Sequence, residues 1–205
     1  MQIANRIDRL GTETSFVVLA RARQLEAEGR DIVHLEIGEP DFDTAPNIIA
    51  AAKTALDNGY THYGPSAGLP EFRKVIAEVE GARRGLEFKP EQVVVTPGAK
   101  PIMFYAIMAI VNPGDEVIYP NPGFPIYESG IELAGGTPVP LPLTEDMDFK
   151  FSIEDLKSKI TPKTKMLIIN SPQNPTGGIL TQDDLKQIAE LAVKHDLWVL
   201  ADEIY

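Results

Sequence analysis

Hydrophobic residues follow two patterns along the chain, one with the period of a helix and one forming short continuous apolar runs. Capping patterns at Ser152–Asp155 and Thr181–Asp184 precede two of the helical patterns, and Gly and Pro separate many of the segments. Predicted helices are residues 15–28, 46–56, one opening at 70, 101–111, 124–133, 152–160 and 181–195. Predicted strands are residues 31–37, 93–96, 116–119, 137–141, 165–169 and 198–201.

The order of these elements predicts the fold class. Apolar strands separated by helices favour an α/β fold, with a mostly parallel sheet covered by helices on both faces. The regular strand–helix alternation starts gradually after residue 44. We therefore predict that residues 1–45 form an N-terminal arm and part of a small domain, and that residues 46–205 form an incomplete large domain.

Composition and charge narrow the function. The chain of 205 residues is 43% hydrophobic and 24% charged, as is usual for a globular protein. A net charge of −11 disfavours nucleic acid and anionic membranes as partners. The longest apolar run, residues 102–111, is far short of a membrane span of ~20 residues. The N-terminus has no continuous apolar core, so a cytoplasmic protein without a signal peptide is expected.

Metal and nucleophile chemistry find little support in the sequence. There is no cysteine, and His34, His62 and His195 fall in unrelated contexts. This excludes a disulfide framework and thiolate metal sites, and no metal site is predicted. Gly-x-Ser-x-Gly elbows and dinucleotide or P-loop signatures are also missing from the sequence.

Two apolar runs end in polar residues that suit one ligand. Asp202 and Tyr205 follow the last predicted strand, and Asn174 lies in a Pro/Gly loop after the preceding one. Ligands of open α/β sheets bind outside the carboxyl ends of the strands. A carboxylate that keeps a pyridine nitrogen protonated, with a phenol and an amide that donate to a ring oxygen, suits pyridoxal 5′-phosphate.

These motifs resemble the class I/II aminotransferases of the aspartate aminotransferase fold, over nearly the whole chain. The residues that carry the resemblance are Ser171–Gly178, which read SPQNPTGG, and the run Ala201–Tyr205, which reads ADEIY. The resemblance implies that Asp202 contacts the pyridine nitrogen, and that Asn174 and Tyr205 contact the ring oxygen. It assigns catalytic roles to Asp202 and Tyr205.

The resemblance also extends to the phosphate and to the ring face of the cofactor. It implies that Gly98, Ala99 and Lys100 form the phosphate-binding turn before a helix, where backbone N–H groups and the helix dipole favour an anion. It implies that Phe124 stacks on the cofactor ring. Tyr127, three residues further on, is interpreted as a packing residue.

Substrate and subunit contacts are implied in the same way. Gly38 resembles the turn that approaches the substrate α-carboxylate. Lys100 resembles a lysine that meets the distal carboxylate of acidic substrates, which favours aspartate or a related amino acid. Tyr63 matches a tyrosine that reaches the cofactor phosphate of the neighbouring subunit, so a homodimer is expected.

Each of these residues, taken alone, also fits a structural role. The Gly98 turn fits an ordinary strand–helix junction, Phe124 a core aromatic, Asn174 a turn before proline, and Asp202 a surface acid. Tyr63 also fits a loop aromatic packed on its own subunit, and Tyr205 fits a partly buried aromatic. The joint occurrence of the two motifs at strand ends favours the cofactor interpretation.

The expected reaction is a ping-pong transfer of an amino group from an amino acid to a 2-oxo acid. The Schiff-base lysine and the carboxylate-binding arginine of the family have no match in the sequence, so the chain resembles the N-terminal half of a member and is expected to be inactive by itself. A C–S β-lyase or an enzyme similar to aminocyclopropane-carboxylate synthase is the first alternative. A non-catalytic module that binds pyridoxal phosphate is the second.

Overall fold

The computed structural model describes residues 2–11 and 14–205, and its centre is a parallel sheet. The four strands are β1 (Glu116–Asn121), β2 (Thr137–Pro142), β3 (Thr164–Asn170) and β4 (Trp198–Asp202), in the spatial order β2-β1-β3-β4. All neighbouring pairs are parallel. The predicted α/β class is confirmed.

The described residues also form seven α-helices. Their bounds are α1 Thr14–Ala27, α2 Pro46–Asp57, α3 Pro70–Arg84, α4 Lys100–Ile110, α5 Ile126–Leu133, α6 Ile153–Lys159 and α7 Gln182–His195. Short 3₁₀ turns are Asn5–Arg9, Pro90–Gln92 and Glu145–Met147. Each predicted helix is present, and most of the predicted bounds differ from these by one or two residues.

At the central strands β1 and β3, both faces of the sheet are apolar and covered. Val117 and Tyr119 of β1 pack with side chains of α4 and α5, whereas Ile118 packs with side chains of α6 and α7. The alternation follows from the strand repeat of two residues, and both sets are buried because helices lie on both faces. Each fully buried side chain stabilises the fold by about 1.5–3 kcal/mol.

Two predicted strands are wrong. Within the described part of the chain, residues 31–37 and 93–96 belong to no strand. The alternating pattern of the first segment leaves Leu35 88% exposed instead of covering a sheet. An apolar run becomes a strand only where a neighbour completes its hydrogen bonds, and no described residue pairs with either segment in a ladder. The predicted apolar face of α3 is also open, since Phe72, Val75 and Val79 are exposed.

The described chain divides into two compact units. One contains Gly98–Tyr205 with the N-terminal residues up to Gly11, and the other is Thr14–Pro97. The boundary between residues 45 and 46 stays a prediction. Among the described residues, no helix combines the length and the apolar character that crossing a membrane requires.

Candidate functional site

The sheet order creates a switch point between β1 and β3. From β1 the chain moves outward to β2, then returns across β1 to β3 and continues to β4 on the other side. Crevices at the carboxyl ends of strands on such a switch point are the usual ligand sites of open α/β sheets. Phe124 follows β1, Asn174 follows β3, and Asp202 ends β4. The sheet therefore places these residues at one edge.

Asp202 is held by a buried phenol. The Tyr127 hydroxyl donates to Asp202 Oδ2 at 2.6 Å, and the Ile204 N–H donates to Oδ1 at 3.3 Å. Burial raises the pKa of the Tyr127 phenol, and the hydrogen bond to Asp202, the charge of Asp202 and the neighbouring Tyr205 raise it further. Tyr127 therefore stays protonated and acts as a donor, which holds the Asp202 side chain in one orientation.

Two buried carboxamides connect the strand ends. Asn170 Nδ2 donates to the Asp202 carbonyl at 2.9 Å, and Asn170 Oδ1 accepts the Asn174 N–H at 2.7 Å. Gln173 Nε2 donates to the carbonyls of Pro122 and Asn174, at 3.0 and 2.8 Å. Both side chains are only 5% exposed. Side-chain hydrogen bonds thus join three main-chain segments, namely the one before Phe124, the one with Asn174 and the one with Asp202.

The predicted phosphate-binding turn lies where α4 begins. Gly98 has φ +89°, which L side chains rarely adopt, and a Cβ there would meet no atom of the described chain within 4 Å. The N-cap residue of α4, Ala99, makes no side-chain capping hydrogen bond. The Lys100 ammonium lies 5.7 Å from the centroid of the Phe124 ring. This helix start has the geometry and the cation that suit an anion.

An open apolar hollow lies between that turn and the end of β4. Its volume is about 220 Å³, and its walls include Ala99, Met103, Leu200, Asp202 and Ile204. Apart from the acidic residues Asp202 and Glu203, the lining residues are apolar. A carboxylate beside an apolar wall suits a flat heteroaromatic ring that carries one protonated nitrogen. The residues present therefore fit a pyridine-type cofactor.

The remaining predicted site residues are placed as follows. Tyr205 is exposed and close enough to affect the Tyr127 phenol. Gly38 and Tyr63 belong to the unit Thr14–Pro97, where Tyr63 is fully exposed and lines an open hollow with residues 58–60, 62, 64–65 and 68–69. The roles of Tyr205, Gly38 and Tyr63 stay predictions.

Three residues of the site were not found from sequence. Tyr127 packs as predicted, with the ring of Phe124 edge-on at 6.0 Å, but its hydroxyl also reaches Asp202. Asn170 and Gln173 carry no pattern beyond their place at the end of an apolar strand. Their position beside Asn174 is the only sequence signal. Among the described residues, no group of three or more His, Asp or Glu side chains could hold a metal ion.

Comparison with known proteins identifies the class of protein. The profile of the family described as aminotransferase class I and II matches residues 30–205. The chain therefore belongs to the class I and II aminotransferases, whose members depend on pyridoxal 5′-phosphate. The predicted family and cofactor class are confirmed.

The similar proteins include several aspartate aminotransferases. A probable aspartate/prephenate aminotransferase of Aquifex aeolicus is 42% identical over 99% of this chain and 52% of its own length. The aspartate aminotransferase of Bacillus subtilis is 41% identical over the whole chain and 52% of its own length. A structure of Thermus thermophilus aspartate aminotransferase with maleate, 39% identical, superposes with a TM-score of 0.96 over the whole chain and 54% of that structure. The chain spans about half the length of the curated relatives it matches.

Proposed function

We propose that the protein containing this chain transfers an amino group between an amino acid and a 2-oxo acid, with pyridoxal 5′-phosphate as cofactor. The observation that carries the proposal is the Asp202 carboxylate at the end of β4, held by the buried Tyr127 hydroxyl beside a ring-sized apolar hollow. The donor becomes a 2-oxo acid and the acceptor becomes an amino acid, so the exchange needs no external oxidant.

Asp202 has the leading role in this proposal. Pyridoxal phosphate, when bound, supplies an electron sink that stabilises negative charge at the substrate α-carbon. Asp202 keeps a proton on the pyridine nitrogen, which maintains that capacity. Tyr127 orients the carboxylate through its hydrogen bond. Asn174 and Tyr205 donate to the ring oxygen and fix the ring in its plane.

The other predicted contacts position the cofactor. Phe124 covers one face of the ring, and the turn Gly98–Lys100 binds the phosphate at the start of α4. We further propose a cytoplasmic homodimer in which Tyr63 reaches the phosphate of the neighbouring subunit. Tyr63 is fully exposed, which is compatible with a contact to a second copy.

Lys100 and Gly38 are proposed as substrate contacts, with an acidic amino acid as the donor. A lysine at the start of α4 supplies a cation for a second carboxylate, and Gly38 approaches the α-carboxylate through its backbone. The names of the relatives favour the same class of substrate, since they refer to aspartate and, in the Thermus structure, to the dicarboxylate maleate.

The test is a substrate assay on the protein that contains this chain. With aspartate and a 2-oxo acid, we expect one new amino acid for each aspartate consumed, with ping-pong kinetics. Release of ammonia and pyruvate from a thioether amino acid, independent of a 2-oxo acid, would establish a β-lyase instead. Tight binding of pyridoxal phosphate with neither reaction would favour the non-catalytic module.

The role of Lys100 is tested by Lys100→Met. Loss of a hydrogen bond to a charged group costs about 1.5–3 kcal/mol, so kcat/KM for aspartate should fall about 10–100-fold more than kcat/KM for alanine. Lys194→Met, in the last turn of α7, is the matched control and should change neither. An equal fall in kcat/KM for aspartate and alanine would contradict a role of Lys100 in substrate binding.

A further inference from the structure

Asn170 occupies the last position of β3, opposite Asp202 in the register of the β3–β4 pair. Its side chain continues the pairing beyond the strand end, because Nδ2 donates to the Asp202 carbonyl at 2.9 Å. The same side chain accepts the Asn174 N–H at 2.7 Å. One side chain thus binds the backbone of two of the residues that are proposed to contact the cofactor ring, Asp202 and Asn174.

Burial makes these bonds specific. Asn170 is 5% exposed, and a buried amide left without partners is unfavourable, so the side chain is restricted to the orientation that satisfies both ends. A carboxamide is the smallest side chain that donates at one end and accepts at the other. Any shift of Asp202 relative to Asn174 breaks one of the two bonds.

We propose that Asn170 is a positioning residue that sets the spacing between the contact to the ring nitrogen and the contact to the ring oxygen. The inference rests on the proposed function, because it assumes that Asp202 and Asn174 contact the cofactor. It goes beyond that function because Asn170 would control recognition of the ring nitrogen and the ring oxygen without contacting either atom.

The test measures dissociation constants for three compounds on the full-length protein. They are pyridoxal phosphate, its analogue with carbon in place of the ring nitrogen, and its analogue without the ring hydroxyl. The unmodified protein should bind pyridoxal phosphate most tightly, because each analogue loses one directed contact. We expect Asn170→Ala to weaken the binding of pyridoxal phosphate about tenfold, which corresponds to the loss of about one well-aligned hydrogen bond. It should also reduce the preference for pyridoxal phosphate over the nitrogen-free analogue and the preference over the hydroxyl-free analogue.

Asn170→Asp separates the two bonds and serves if the alanine variant does not fold. A carboxylate keeps the acceptor for the Asn174 N–H but loses the donor to the Asp202 carbonyl. The preference for pyridoxal phosphate over the nitrogen-free analogue should therefore fall, whereas the preference over the hydroxyl-free analogue should be kept. Asn47→Ala, at an exposed position of α2, is the control and should bind all three compounds like the unmodified protein.

The outcomes separate this inference from the proposed function. If the Asn170 variants lose the same factor for all three compounds, or keep both preferences, Asn170 has only a structural role and the inference is overturned. If the unmodified protein itself binds the nitrogen-free analogue as tightly as pyridoxal phosphate, the proposed role of Asp202 is overturned instead.

Discussion

At the scale of single residues, Tyr127 combines a fully buried ring with a hydroxyl that reaches a carboxylate at a strand end. A buried phenol whose pKa is raised by burial and by an adjacent carboxylate remains a hydrogen-bond donor throughout the neutral range. The bond joins α5 to the end of β4. Tyr127 therefore contributes both to the core and to the orientation of Asp202.

Tyr127→Phe removes this hydrogen bond and keeps the ring. We expect the free energy of unfolding to fall by about 1–3 kcal/mol, because the carboxylate loses its donor in a partly buried place. Urea unfolding measures the change, and the dependence on urea concentration should stay the same. Tyr105→Phe, at an exposed tyrosine, is the control and should have little effect. Equal stability of Tyr127→Phe and the unmodified protein would contradict this role.

The sequence predicted the location of site residues whose type and position both indicate a functional role. Asp202 and Asn174 stand at the ends of apolar strands, and parallel strands bring such ends to one edge. Tyr127, Asn170 and Gln173 could not be predicted, because each makes a hydrogen bond to a residue far away in sequence. The distant partner is Asp202 for Tyr127 and Asn170, and Pro122 for Gln173. A linear pattern records the residue type, but not the direction of its side chain.

At the scale of elements, local capping signals were reliable. Ser152 accepts the Asp155 N–H before α6, as the capping pattern predicted. Thr181 and Asp184 form a reciprocal capping box before α7, in which the Thr181 N–H donates to Asp184 Oδ2 at 2.8 Å. These bonds form within four residues, so they depend on sequence alone.

Thr181→Ala tests the contribution of this cap. Removing the side chain leaves an N–H of the first turn of α7 without its acceptor, and we expect a loss of about 1 kcal/mol in unfolding free energy. Thr54→Ala is the control, since the Thr54 hydroxyl donates within α2 to the Ala50 carbonyl and caps no helix end. Chemical denaturation of both variants gives the comparison. A loss no greater for Thr181→Ala than for Thr54→Ala would contradict the capping role.

Strands were less predictable than helices for a physical reason. A helix satisfies its backbone bonds within one segment, whereas a strand needs a second segment from elsewhere. The runs at 116–119, 137–141, 165–169 and 198–201 gain such neighbours and are strands. The runs at 31–37 and 93–96 are also rich in β-branched and other apolar residues but have no ladder partner among the described residues.

His34 joins α1 to the segment that follows it. Its ring nitrogens lie 2.6 Å from Glu36 Oε1 and 2.8 Å from Glu26 Oε1. Hydrogen bonds to Glu36 and then Glu26 raise the pKa of His34, and the bond to His34 lowers the pKa of Glu36. Through the raised pKa of His34 and the lowered pKa of Glu36, this trio of side chains makes stability depend on pH.

We expect the stabilisation by this trio to be complete between the ordinary pKa values of 4.5 for Glu36 and 6.5 for His34. It is lost as the pH rises through the raised pKa of His34, and also as the pH falls through the lowered pKa of Glu36. The difference in Tm between the unmodified protein and His34→Gln should therefore be largest in that interval and shrink on both sides. His62→Gln is the control. A difference that does not change with pH would contradict the linkage.

At the scale of the whole molecule, the site is a product of topology. The order β2-β1-β3-β4 brings together side chains from three separate parts of the sequence at one edge of the sheet. The chain has a net charge of −11, so the proposed phosphate binding depends on the local field of the α4 start and Lys100 rather than on the global charge. The class of fold and the family followed from sequence, because both depend on element order and on motifs at strand ends.

The most direct measurement is the affinity for pyridoxal phosphate of the protein that contains this chain, compared with its Asp202→Asn variant. The substitution keeps the shape of the side chain and removes the charge. Since a hydrogen bond to a charged group contributes about 1.5–3 kcal/mol, we predict binding about 10–100-fold weaker, with Glu190→Gln as an unaffected control. Equal affinity of Asp202→Asn and the unmodified protein would contradict the assignment of Asp202 to the ring nitrogen.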